Sequence, residues 1–224
     1  MRDGLIGEFI FGGSEKGSTY NGAPNTYDFA TKVGEPTLGA GYGVFEGETG
    51  YYTSNITDPG EITIVAVAAP PDDFVPASRF GIVGNFPAAV SAKNTSMYCG
   101  TGTTIAFQAG QDLTIGNIEL DRSLFTDWTT FIGRAGVGQD FQCDFEMRKG
   151  GVSLDSAAMD TTGSTRIYDT SSPFLLGALS DYAGFLGEIK LACVLIWSRV
   201  LSDVEVNEVV SDLQEFAASR GISA

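Results

Sequence analysis

The chain has 224 residues, 28 acidic against 13 basic side chains and no histidine, for a net charge of −15 and a sequence pI near 4.2. A field of that sign repels nucleic acid and anionic membranes, and the missing imidazole excludes Ser-His-Asp and Cys-His catalysis and any His-ligated zinc. With 43% hydrophobic residues and 29 Gly, short apolar runs between tight turns describe many strands sharing one core. The expectation is a single all-β domain over 1–224.

The amino terminus, MRDGLIGEFIFGG, lacks the long apolar segment and cleavage site of a signal peptide. No run reaches the ~20 apolar residues that span a bilayer. The expectation is a chain made in a cytoplasm without a signal peptide. The pieces LIGEFIF, YGVFEG and GYYTS then alternate with Gly, Asn and Pro turns. EITIVAVAAPPDD holds a run from Ile62 to Ala69 that is apolar on both strand faces and is stopped by Pro70 and Pro71. Such a strand belongs inside a layered structure.

RFGIVGNF, TSMYCG, TTIAFQAG, DLTIGNIEL and DWTTFIGRAG follow at the spacing of hairpin-connected strands. In QDFQCDFEMRKGG, Phe141, Cys143, Phe145 and Met147 share one face, and Asp140, Gln142, Asp144, Glu146 and Arg148 share the other. That alternation predicts a strand with one face in the core and one in water. Lys149-Gly150-Gly151 should turn the chain into VSLDSAAM, and PFLLGAL gives a further strand.

The stretch from Phe185 to Trp197 reads as the closing strand, with Phe185, Ile189, Leu191, Cys193, Leu195 and Trp197 on one face. Helix signals follow at once. Ser202 and Glu205 form an S-x-x-E capping box, and Leu201 and Val206 are placed as a hydrophobic staple. Val206, Val209, Val210, Leu213 and Phe216 make a stripe at helical spacing, and Gly221 marks the stop. The helix should cover about 203–219 and pack on an edge or end of the sandwich.

The order Phe185-x-Gly187-x-Ile189, then Val194, Trp197, Arg199, Leu201, Ser202 and Glu205, resembles the closing motif of the concanavalin A-like, laminin-G-like jelly rolls. Tyr42-Gly43-Val44-Phe45, Tyr51-Tyr52 and the strand from Ile62 resemble the earlier part of that group. The resemblance implies an antiparallel jelly-roll β-sandwich with a short carboxy-terminal helix. That architecture serves lectins, glycosidases, adhesive modules and phage tail, fibre or head-decoration proteins.

One glycosidase branch of the group carries E-x-D-x-E on one strand. Here Gln142, Asp144 and Glu146 share that spacing, but an amide stands where the nucleophile belongs, so no catalysis is expected. Sugar recognition would use aromatic platforms beside carboxylates. Tyr20, Tyr27, Tyr98, Tyr168 and Tyr182 lie in turn-rich segments and Tyr51 and Tyr52 are adjacent, so at least one of that pair points outward. The candidate carbohydrate site residues are Tyr51, Tyr52, Tyr98, Tyr168, Tyr182, Asp144 and Glu146. Trp128 and Trp197, embedded in strands, are read as core.

Asp58, Asp72, Asp73, Asp155, Asp160 and Asp181 are candidate oxygen ligands for calcium, although none sits in a loop of EF-hand spacing. Cys99, Cys143 and Cys193 cannot all pair within one chain and belong to no metal motif, so no disulfide framework is expected. The functional expectation is a non-catalytic surface or virion module, a homo-oligomer in the family setting, whose partners are other virion proteins or host-surface glycans. A free-standing lectin is the alternative.

Overall fold

Every residue of the strand Ile62–Ala69 is buried, because one of its faces looks into a sandwich core and the other lies beneath a helix. The computed structural model describes residues 2–72, 79–85, 93–100, 103–112, 115–179 and 184–223. In chain order the strands are β1 (Leu5–Ile10), β2 (Thr31–Gly34), β3 (Thr37–Leu38), β4 (Gly43–Glu46), β5 (Gly50–Thr57), β6 (Ile62–Ala69), β7 (Phe80–Gly84) and β8 (Thr95–Cys99). They continue with β9 (Thr104–Gly110), β10 (Ile115–Asp121), β11 (Thr129–Ala135), β12 (Cys143–Lys149), β13 (Val152–Ala158), β14 (Pro173–Leu176) and β15 (Glu188–Trp197). The helices are α1 (Glu15–Thr19) and α2 (Asp203–Ser219).

The strands hydrogen-bond in the order β10-β9-β8-β7-β14-β5-β4-β15-β6-β11-β12-β13, with β1 on β15, β2 on β5 and β3 on β4. The pairings are antiparallel, and the sheet folds over at the β4–β5 hairpin, where only Glu46 and Gly50 pair. The result is a jelly-roll β-sandwich. Its core joins Ile62, Ile64, Phe131, Phe145 and Met147 of one layer to Ile82, Met97, Ile105, Phe107 and Ile118 of the other. The Phe107 ring stacks on Phe145 at 5.8 Å. It reaches there because position 133 is glycine: a Cβ on Gly133 would lie 2.5 Å from the Phe107 ring.

The β12 alternation is present as read, with Phe141, Cys143, Phe145 and Met147 in the core. Gly150 and Gly151 both take positive φ in the hairpin to β13, as a two-residue turn matching strand twist requires. Asp58 and Arg166 form a fully buried ion pair at 2.8 Å. Burial pushes the Asp58 carboxyl up, opposed by Arg166, the Thr95 hydroxyl and the Gly60 N–H.

The closing strand departs from its sequence reading. It starts at Glu188 rather than Phe185, and Phe185 lies against Tyr98 instead. Between Leu191 and Cys193 the pairing with β6 slips by one residue, so Ala192 is the extra residue of a β-bulge. Ile189, Leu191, Val194 and Ile196 therefore face the sandwich core, while Cys193, Leu195 and Trp197 face the helix. Simple alternation had put Ile189, Leu191, Cys193, Leu195 and Trp197 on one side. A bulge reverses that parity without leaving a mark in composition.

Helix α2 matches its local signals. Ser202 and Glu205 complete a capping box, and Leu201 and Val206 are both buried in the layer under the helix. At the far end Gly221 has φ +74°; its N–H donates to Ala218 and that of Ile222 to Ala217, which is the double bond pattern of a Schellman motif. Val206, Val209, Val210 and Leu213 are buried against Leu5, Val65, Val67, Ile132 and Leu195. The helix thus covers the outer face of the β1-β15-β6-β11 layer rather than an edge or end, because β6 and β15 present a second apolar face that must be covered.

Candidate carbohydrate-binding cleft

Strand pairing gathers four separate segments at one end of the sandwich. Lys190 opposes Ala69 at the end of β6 and Val44 in β4, while Thr129 opposes Ala68. Pro70 and Pro71, which stop β6, therefore lie beside Trp128, which leads into β11, and Tyr42, which leads into β4. With Asp72, Thr126, Asp127 and Lys190 they line a cleft of about 290 Å³.

The Tyr42 and Trp128 rings meet at 5.4 Å and 59°, both half-buried. The Lys190 ammonium stands 5.8 Å from the centre of the Tyr42 ring and 2.6 Å from Asp72. Asp127 accepts from the Trp128 N–H at 2.8 Å and from Lys149 at 3.1 Å. The Trp128 N–H holds the Asp127 carboxyl below its usual range; burial opposes it, and Lys149 adds a smaller lowering effect. The cleft offers aromatic surface, ionised acceptors and a cationic donor, which is the chemistry that orients a polyhydroxylated ring.

Trp128 is thus a wall of this cleft and only partly packed on the helix-side core, a correction to its reading as core; Trp197 is buried as read. Tyr42, Asp127 and Lys190 were missed by sequence reasoning. Their only local signals are the Asp-Trp step before β11 and the Pro-Pro stop after β6.

The sequence-predicted site residues do not converge. Tyr52 is fully buried, edge-on to Phe45 at 5.4 Å, so it is a core residue; its neighbour Tyr51 is half-buried on the other face of β5. Tyr98 lies edge-on to Phe185 at 5.4 Å, in a hollow of about 230 Å³ with Arg79, Thr104 and Glu119. Tyr168 covers Gly60. Tyr182, with Asp73 and Asp181, lies outside the described residues.

Asp144 and Glu146 are on the polar face of β12, but that face is tied to α2 rather than open. Asp144 accepts from Arg134 at 2.6 Å and from Gln142 at 2.7 Å. Arg134 goes on to the Leu201 carbonyl and to Asp203. Glu146 pairs with Arg148, which reaches Asn207. The Gln142-Asp144-Glu146 spacing thus serves an ionic lattice that anchors the start of the helix.

The calcium candidates are also dispersed. Asp58 faces Arg166, Asp72 faces Lys190, Asp155 accepts from the Asp121 N–H and Asp160 accepts from the Thr162 N–H. Among the described residues, no three Asp, Glu or Cys side chains converge as a metal site would require. Cys99, Cys143 and Cys193 are unpaired and buried.

No protein-family model and no curated protein matches the chain. Solved structures do. The fold is similar to the botulinum neurotoxin serotype D binding domain, with a TM-score of 0.65 at 11% identity over 95% of this chain and 52% of that one. It is similar to the receptor binding domain of the botulinum neurotoxin C/D mosaic serotype, with a TM-score of 0.65 at 10% identity over 95% and 52%. The binding domain of Paraclostridial Mosquitocidal Protein 1 gives 0.62 at 15% identity over 95% and 53%. The chain spans about half of each of these structures. At these identities the likeness is one of fold alone.

Proposed function

We propose that the protein is a non-catalytic, surface-displayed module that binds carbohydrate in the Tyr42–Trp128 cleft. The observation that carries this reading is the pair of half-buried rings, 5.4 Å apart, beside the carboxylates of Asp72 and Asp127 and the ammonium of Lys190. The fold shared with the receptor binding domain of the botulinum neurotoxin C/D mosaic serotype supports a binding role for the architecture. Engagement of Asp144 and Glu146 by Arg134 and Arg148 supports a role without hydrolysis. Tyr98, in its hollow with Glu119, is the second place at which a sugar would meet an aromatic ring.

The setting proposed is a virion or cell surface, with the module acting as a homo-oligomer that contacts host glycans. This setting rests on the closing jelly-roll motif. Calcium is proposed only as an accessory ion recruited by the acidic surface. A glycan array probed in calcium and again in chelator tests both proposals, with the solution mass measured on the same sample. Selective binding supports the module; its loss in chelator supports the ion.

A further inference from the structure

Between α2 and the β1–β15 pair runs a groove of about 200 Å³, lined by Leu5, Ile10, Leu195, Trp197, Val209 and Phe216, on the far side of the helix from the polar face of β12. Two buried polar atoms belong to residues that line it. The Trp197 indole N–H has no acceptor, and Glu8 Oε2 accepts no hydrogen bond although it stands 3.0 Å from Arg2 as an ion pair. Leu5 opposes Trp197 and Glu8 opposes Leu195 across the strand pair, so both atoms belong to side chains on the helix-facing side. An indole N–H can only donate and an ionised carboxylate can only accept.

We propose that this groove binds a small neutral phenol-class aromatic. A cavity of about 150 Å³ with apolar walls holds benzene, so about 200 Å³ leaves room for a ring and one substituent. A phenolic hydroxyl is both acceptor and donor: it accepts from Trp197 and donates to Glu8, satisfying both groups at once. An anionic ligand is disfavoured, because Glu8 and Asp212 outnumber Arg2 among the lining residues. A purely apolar ring fills the space but leaves the Trp197 indole N–H without an acceptor and Glu8 Oε2 with its Arg2 ion pair alone. The site is separate from the Tyr42–Trp128 cleft and does not depend on its function.

The test is ligand-observed NMR with p-cresol and with toluene, which differ by the hydroxyl alone, on the full chain. Wild type should bind p-cresol saturably and about tenfold or more tighter than toluene, the usual scale for a buried donor left unpaired. Trp197→Phe should remove most of that preference while retaining toluene. Val209→Phe, which fills the groove from the helix side, should abolish binding of both with the thermal transition intact. Absence of saturable p-cresol binding, equal affinities for the two probes in wild type, or unchanged binding in Val209→Phe would each overturn the proposal.

Discussion

Arg199 holds Glu205 through two hydrogen bonds, 3.0 Å from Nη1 and 2.7 Å from Nη2, and the same carboxylate accepts from the Ser202 N–H at 2.8 Å. One side chain therefore closes the capping box of α2 and joins the helix to the end of β15. Arg199, followed by the Ser202 backbone and hydroxyl, holds the Glu205 carboxyl down at about 2, against 4.5 for an ordinary glutamate. A depressed acid contributes stability above its unfolded value and loses it as pH falls through its folded value. Wild type should therefore lose this contribution between pH 4.5 and about 2. Glu205→Gln keeps a capping partner but not the charge, so its stability should vary less with pH across that window. Urea titrations at several pH values check this, and parallel curves for the two proteins would contradict it.

The buried Asp58–Arg166 pair at 2.8 Å should be costly to break and cheap to replace. Asp58→Ala leaves Arg166 charged and unpaired, and should cost about 3–5 kcal/mol. Adding Arg166→Met should recover most of that loss. Chemical denaturation of the two variants measures the difference; a double variant as unstable as the single one would refute a charge-based explanation.

Burial pushes the thiols of Cys99, Cys143 and Cys193 up to about 12. Because the thiolate is the reactive form, Ellman's reagent should label none of them in the native protein and all of them in guanidinium. Rapid native labelling of Cys193 would mean that α2 lifts from the sheet.

How legible each feature was depends on the range of the interactions that make it. Helix α2 is set by local chemistry, since the Ser202–Glu205 box, the Leu201–Val206 staple and Gly221 all act within a turn or two, and its limits are readable from sequence. Alternation likewise places Phe141 to Met147 in the core. The bulge at Ala192 is invisible to alternation, because either parity of Val-Leu-Ile-Trp is apolar and only pairing with β6 chooses between them. The cleft is less legible still: Tyr42, Asp72, Trp128 and Lys190 are far apart in the chain, and the β4-β15-β6-β11 order brings them together. Asp144 and Glu146 read as a solvated face because their partners Arg134 and Arg148 are in turn held by Asp203 and Asn207 of a helix that follows about 60 residues later, a contact that alternation does not register.

The most direct measurement is glycan-array binding by wild type beside Trp128→Ala, with thermal unfolding recorded for both. Trp128 is half-buried, and a base-stacking-like loss of one aromatic platform is on the order of 1–3 kcal/mol, so the variant should remain folded while its glycan binding falls about tenfold or more. Undiminished binding by a folded Trp128→Ala protein, or no glycan bound by wild type, would contradict the assignment of the Tyr42–Trp128 cleft as a carbohydrate site.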